Sequence, residues 1–177
     1  MALSKRLFLV LLTLPLAGCF GYHFPGSPSA RLPEDLQGAV ARIAGPGATA
    51  HPRLARQLQE RIINRLGLPW SRSDGNNLIL TIHMEPLQRD LRLENQAGRA
   101  DHYRVTASAH AALAQPGAAP SKTWPSVRGS ATYYELNVAT ANQVAREQAE
   151  NEAMDQLADA LVAMLSTRLN ASEPATP

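Results

Sequence analysis

Residues 102–113, with the sequence HYRVTASAHAAL, alternate between apolar and polar side chains. The apolar face carries Tyr103, Val105, Ala107, Ala109, Ala111 and Leu113. The polar face carries His102, Arg104, Thr106, Ser108 and His110. Because successive side chains of a strand point to opposite faces, this pattern predicts a strand that is buried on one side only.

The chain on either side of this strand shows the same period of two. Residues 78–84 alternate in the same way, Pro86 interrupts the pattern, and a second polar-apolar piece runs through residues 87–93. Beyond 113, Trp124 opens a further strand that alternates through Tyr134. Three successive strands with one polar face each are typical of an antiparallel meander covered on one side. A short additional strand is predicted within residues 38–44, followed by a turn at Gly45-Pro46-Gly47.

Two segments have helical periodicity instead. Leu54, Leu58, Ile62 and Leu66 recur every four residues between Pro52 and Gly67, which suit a helix start and stop. Residues 139–169 carry a second apolar stripe. The order strand, helix, three strands, helix predicts an α+β fold with two α-helices packed on one face of a mostly antiparallel four-stranded sheet.

The charges of the two predicted helices are opposite. Residues 51–66 carry four arginines against one glutamate, whereas residues 139–169 carry two arginines against five acids. The two helices are therefore candidates for neighbours, although two separately solvated faces explain the charges equally well.

The amino terminus reads as a lipoprotein leader. Lys5 and Arg6 precede an apolar run of the length found in signal peptides, too short to span a membrane. Leu16-Ala17-Gly18-Cys19 resembles the bacterial lipobox, and Cys19 is the only cysteine. Acylation at Cys19 would supply more than one buried chain, which gives stable anchoring. Phe20, where inner-membrane lipoproteins carry Asp, implies the outer membrane.

These features predict four segments of the chain. They are a signal peptide at 1–18, a lipidated tether at 19–37, a single α+β domain at 38–169 and a disordered tail at 170–177. Without Lys5 and Arg6 the 17 basic side chains fall to 15, which equals the 15 acidic ones. A net charge of zero argues against a nucleic-acid partner.

The residue patterns offer no chemistry that an enzyme would use. The five histidines show no metal-binding spacing, and no nucleophile elbow, phosphate loop or dinucleotide motif is present. We therefore expect no catalysis, metal or cofactor. The remaining candidate for function is a binding surface. Arg104 and Arg128 share the polar face, and Arg89, Arg92 and Arg99 surround the hairpin before the long strand. Arginines there suit phosphate or carboxylate, with Leu91 and Leu93 available to acyl chains, or they serve only solubility.

A series of short motifs adds a family resemblance. In order they are Cys19 followed closely by Gly21-Tyr22-His23-Phe24, Arg65-Leu66, Gly98-Arg99-Ala100-Asp101-His102-Tyr103-Arg104-Val105, Trp124, and Gly129-Ser130-Ala131-Thr132-Tyr133-Tyr134 before the last helix. Together they resemble the LPS-assembly lipoprotein family (LptE-like) over nearly the whole chain after Cys19. One departure is Phe20, which separates the cysteine from the Gly-Tyr pair that usually follows it directly.

The resemblance implies a non-enzymatic partner of the outer-membrane barrel LptD. Such a protein plugs the barrel lumen, assists barrel assembly and binds lipopolysaccharide on its way to the cell surface, with its domain facing the periplasm and the lumen. Arg128 occupies the family's basic position on the last strand. The family's other basic position falls near Glu94 and Asn95 here, so Arg92 or Arg99 is expected to replace it.

The sequence leaves other functions open. A lipoprotein scaffold of another envelope or secretion complex, without lipid binding, would have the same leader and fold. A lipoprotein hydrolase is disfavoured because neither a nucleophile nor a base is apparent.

Overall fold

The computed structural model describes residues 36, 38–70, 78–93, 101–136 and 138–170. Cys19, the leader, nearly all of the tether and the last seven residues lie outside this part of the chain. The described elements are, in order, β1 (Val40–Ala44), α1 (Pro46–Ala50), α2 (Pro52–Leu66), β2 (Ile79–Met84), β3 (Gln88–Leu93), β4 (Asp101–Ala114), β5 (Lys122–Thr123), β6 (Val127–Glu135) and α3 (Ala139–Asn170).

β4 is the central strand of the sheet. Along one edge it pairs with β2 and then with β3, and along the other with β5 and then with β6, always antiparallel. β1 adds to the far side of β2 in parallel. The parallel pair arises because α1 and α2 carry the chain back before β2 begins.

The predicted fold class is confirmed at the level of α+β, but its element count was wrong. The sheet is mixed and has six strands rather than four, and three helices are described rather than two. Pro86 lies in the break between β2 and β3, and Pro125 in the break between β5 and β6. Since proline has no N–H for a ladder hydrogen bond, each break divides one predicted strand into two.

The additional helix is α1, at a position where a turn was expected. Gly45 has a φ of 100°, a conformation open to glycine, and Pro46 then starts the helix at its first position. Gly47 is buried against the backbone of Glu85, where a Cβ atom would have no room. The single turn therefore packs against β2 only because Gly47 has no side chain.

α2 has the predicted ends. Pro52 stands in its first turn, and Gly67 ends it in the left-handed conformation with φ 65°, where its N–H donates to the Ile63 carbonyl. Arg61 pairs with Asp155 of α3 at 2.7 Å, and Arg65 with Asp159 at 3.1 Å. The basic and acidic helices are thus neighbours, as the charges suggested.

α3 covers the apolar face of β4 and β6. Its buried stripe includes Ala149, Ala153, Met154, Leu157, Ala158, Leu161 and Leu165. At Gly129 of β6 a Cβ atom would clash with the Ala153 carbonyl oxygen and the Leu157 nitrogen, so the helix and strand backbones are in direct contact. None of the described helices has both the length and the apolarity to cross a membrane.

The Gly129 contact gives a test of the packing. Gly129→Ala is expected to lower the free energy of unfolding by about 3 kcal/mol, because α3 must move away from the sheet. Ser130→Ala is the matched control, since Ser130 is exposed on the other face. Thermal unfolding followed by circular dichroism measures both, and equal midpoints for the two variants would show that the backbones are not in contact.

Candidate functional site

The face of the sheet turned away from the helices is called the open face here. By strand register its polar residues are Arg42, Thr81, His83, Gln88, Asp90, His102, Arg104, Thr106, Ser108, His110, Thr123, Arg128, Ser130, Thr132 and Tyr134, and its apolar residues are Val40, Ala44, Ile79, Leu93, Ala112 and Ala114. No described helix packs on it, and apart from Ala112 none of these side chains is fully buried. Polar alternation in β4 and β6 has therefore produced a mainly hydrophilic surface, with apolar positions at one end of β1 and β2.

Two predicted site residues, Arg104 and Arg128, lie on this face. Arg104 is half-buried between Asp90 and Thr132 of the flanking strands, whereas Arg128 is exposed and opposite Ser108. Arg104 and Ser108, the register partner of Arg128, are four residues apart along β4, which corresponds to about 13 Å. Neither guanidinium has a carboxylate within ion-pair distance among the described residues.

Of the other predicted site residues, only Arg92 lies in the described part of the chain. Arg92 is exposed on β3, where the pairing with β4 shifts between Leu91 and Leu93 and skips it. Arg99 and Cys19 fall outside the described residues. The structure therefore brings Arg104 and Arg128 to one surface and leaves Arg92 at its end.

Arg89 lies on the other side of the sheet, contrary to the expectation that it joins the exposed arginines. Its register partner is Val105, on the helix side. There the guanidinium stacks 3.9 Å from the centre of the Tyr103 ring and pairs with Glu135. The alternation of β2 could not be continued into β3 across the break at Pro86, so the sequence did not reveal on which face Arg89 lies.

The same cluster includes Tyr133. Its hydroxyl donates to Glu135 Oε1 at 3.2 Å, and burial raises the pKa of Tyr133 to about 12, an effect that the nearby Arg89 cation partly opposes. The phenol stays protonated and donates to the carboxylate under all ordinary conditions. The cluster fastens β3 to the ends of β4 and β6, so its role is structural.

Exposed apolar side chains gather at the same end of the sheet. We call this group the apolar tip; it consists of Leu91, Leu93, Tyr134, Leu136, Val138 and Val144. By register, Leu93 and Tyr134 lie on the open face and Leu91 lies on the helix side, opposite Tyr103. Register places Leu93 and Tyr134 on either side of His102, and Asn142 in the first turn of α3 hydrogen-bonds both backbone groups of Leu136. Of these side chains only Leu91 and Leu93 were predicted to be available to acyl chains. Tyr134 occupies a polar position of its strand, and this aromatic residue on the polar face was the one sequence feature that pointed to the other exposed apolar side chains.

Two histidines form a pair that the sequence analysis missed. His83 of β2 and His110 of β4 are register partners, and their rings stack with centres 4.9 Å apart at 12°. His102 stacks instead on Tyr134, with centres 4.6 Å apart. The described residues contain no group of three potential metal ligands. Only the register of β2 against β4 could have revealed the pair.

The fold and this surface define a small α+β domain with one helix-covered face and one open basic face that ends in an apolar tip. The chain belongs to the LptE family, described as lipopolysaccharide-assembly, whose sequence model matches residues 39–165. This is a family of non-enzymatic envelope lipoproteins. No curated protein sequence matches the chain.

Solved structures share the fold at low sequence identity. A putative lipoprotein from Caulobacter crescentus CB15 superposes with a TM-score of 0.55 at 18% identity, over 81% of this chain and 98% of that one. The rare lipoprotein B from Shewanella oneidensis gives 0.52 at 19%, over 75% and 98%. At these identities the similarity concerns the fold alone.

Proposed function

We propose that this chain is an outer-membrane lipoprotein that binds lipopolysaccharide and plugs an LptD-like β-barrel, assisting its assembly. The observation that carries the lipid-binding part is the open face, where Arg104 and Arg128 stand without carboxylate partners in the described part of the chain. Arginine side chains bind phosphate oxygens through charge-assisted, often bidentate hydrogen bonds.

The apolar tip supports the same ligand class. Lipopolysaccharide is an amphiphile with phosphates at one end and acyl chains at the other, and the open face presents arginines next to exposed apolar side chains. Leu93 is 66% exposed and Tyr134 60%, values that cost free energy in water unless something apolar covers them. In this proposal acyl chains contact the apolar tip while phosphates meet Arg104 and Arg128, with Arg92 or Arg99 at the end.

Family membership supports the barrel partnership. The lumen of a wide outer-membrane barrel is polar. The described domain also has a polar exterior over the open face and along the outer side of α3, where Gln143, Glu147 and Glu152 lie. A polar domain of this kind is compatible with a polar lumen. Cys19 is the proposed lipid attachment site and holds the domain at the membrane that contains the barrel.

Reversal of charge at Arg128 tests lipid binding. Arg128→Asp is expected to lower the amount of lipopolysaccharide that co-purifies with the tagged full chain by about tenfold, because a charge-assisted hydrogen bond is lost and a repulsion is added. Arg56→Asp is the matched control, an equal charge change at an exposed position on α2. Equal loss in both variants would show a general charge effect, and no loss in Arg128→Asp would exclude this residue.

The barrel partnership is tested by isolation of the complex. The tagged full chain, extracted from outer membranes in mild detergent, is expected to carry a large β-barrel in equimolar amount through size-exclusion chromatography. An unrelated tagged outer-membrane lipoprotein is the control. A chain that elutes without a barrel, while the membranes contain one, would favour a scaffold in another envelope complex.

The anchor is tested at Cys19. Cys19→Ala is expected to abolish incorporation of labelled palmitate and with it the lipid anchor, because the thiol that carries the lipid is gone. The domain itself should remain folded by circular dichroism, since the fold is formed by residues far along the chain. Palmitate labelling that persists in Cys19→Ala would contradict the assignment.

A further inference from the structure

Four neighbouring strands each contribute one basic or protonatable side chain to a line across the open face. These side chains, called the His-Arg belt here, are Arg42 of β1, His83 of β2, His110 of β4 and Arg128 of β6. His83 and His110 are directly opposite each other. Arg42 is paired with Thr81, two residues from His83, and Arg128 with Ser108, two residues from His110. Diagonal neighbours of this kind are roughly 7–8 Å apart, within reach of long side chains.

The surroundings of the belt leave it accessible. Its neighbours on the open face are mostly small, namely Ala44 opposite His83, Ala112 beside the imidazoles and Ser108 opposite Arg128, with Thr81 and Glu85 on either side of His83 along its strand. Both imidazoles are half-exposed and both arginines are exposed. No described helix covers this part of the sheet, so a ligand on the open face can approach all four side chains.

Charges near the imidazoles are mostly positive. Arg42 flanks them from β1 and Arg128 from β6. Glu85, the nearest acid, follows His83 by two residues, and its backbone N–H donates to the Ser108 carbonyl, so one exposed carboxylate lies beside the belt on the same face. Asp90 is opposite Arg104, six residues from His110 and about 20 Å along the strand. The apolar side chains that face the helices add no charge. Stacked imidazoles that are both protonated repel each other unless an anion lies between or beside them.

We propose that the His-Arg belt extends the phosphate-binding surface at Arg128 into a pH-dependent subsite on the open face, which binds a phosphate group of lipopolysaccharide most tightly when the imidazoles are protonated. This inference rests on the proposed function. Histidine is the side chain whose charge ordinarily changes between pH 5 and 8. A protonated imidazole donates through both nitrogens and carries a charge, so each imidazole adds a charge-assisted hydrogen bond as the pH falls.

The test compares affinities at two pH values. The detergent-purified full chain is titrated with lipopolysaccharide at pH 5.5 and pH 7.5, and the ratio of the two affinities is measured for each variant. His83→Gln and His110→Gln are each expected to lower this ratio about tenfold relative to wild type, because glutamine remains neutral throughout. Phosphate groups themselves lose charge near pH 6, but that effect is common to every variant. His51→Gln, at the start of α2, is the matched control and should keep the wild-type ratio.

Two further ligands identify the group that is bound. With lipopolysaccharide freed of its phosphates, wild type and the two histidine variants are expected to show the same ratio of affinities. If the variants still lower the ratio, the imidazoles do not bind phosphate and the inference is wrong. Inorganic phosphate at millimolar concentration is expected to leave lipopolysaccharide bound, and displacement by it would assign the belt to free phosphate instead.

The outcomes separate the inference from the proposed function. If lipopolysaccharide binds, weakens with Arg128→Asp, and shows the wild-type pH ratio in both histidine variants, only the inference is overturned. If lipopolysaccharide binds at neither pH, both are overturned. A lowered ratio in the two histidine variants, with His51→Gln unchanged, is the result that the belt predicts.

Discussion

The close contact between α3 and the β6 backbone at Gly129 is the constraint on which the remainder of the structure depends. Helix and strand can touch there because Gly129 has no side chain and the facing helix positions are small, as at Ala153. Alanines on the inner side of β4 extend the same flat surface. One long helix therefore covers the apolar faces of two strands. The opposite face of the sheet has no described cover and stays available to a ligand or partner.

Much of this arrangement is predictable from the sequence because its causes are local. The period of two in β4 follows directly from the geometry of a strand, and it assigns Arg104 to the polar face without any knowledge of the neighbours. Pro52 and Gly67 mark the ends of α2 because each residue has a backbone property that suits only a helix start or stop. The opposite charges of α2 and α3 made their contact one of two possibilities, and the ion pairs of Arg61 and Arg65 with α3 decide between them.

What the sequence could not give depends on register between distant strands. The direction of Arg89 requires the pairing of β3 with β4 after the break at Pro86, and the parallel position of β1 requires the path of two intervening helices. The stack of His83 on His110 joins residues that belong to different strands and have nothing in common locally. Register follows from the packing of the whole sheet and is therefore visible only in the structure.

The same register gives the open face a direction along β4. The apolar tip lies at the His102 end, Arg104 follows, and the His-Arg belt, which includes Arg128, crosses the sheet at Ser108 and His110, about 20 to 26 Å from the tip in strand rise. A ligand that is apolar throughout would contact only the tip, and a small free anion would contact only a basic position. A large amphiphile can contact both at once, and the affinities of the two ends then reinforce each other because they are joined in one molecule. This linear order favours a phosphorylated lipid over either simpler ligand.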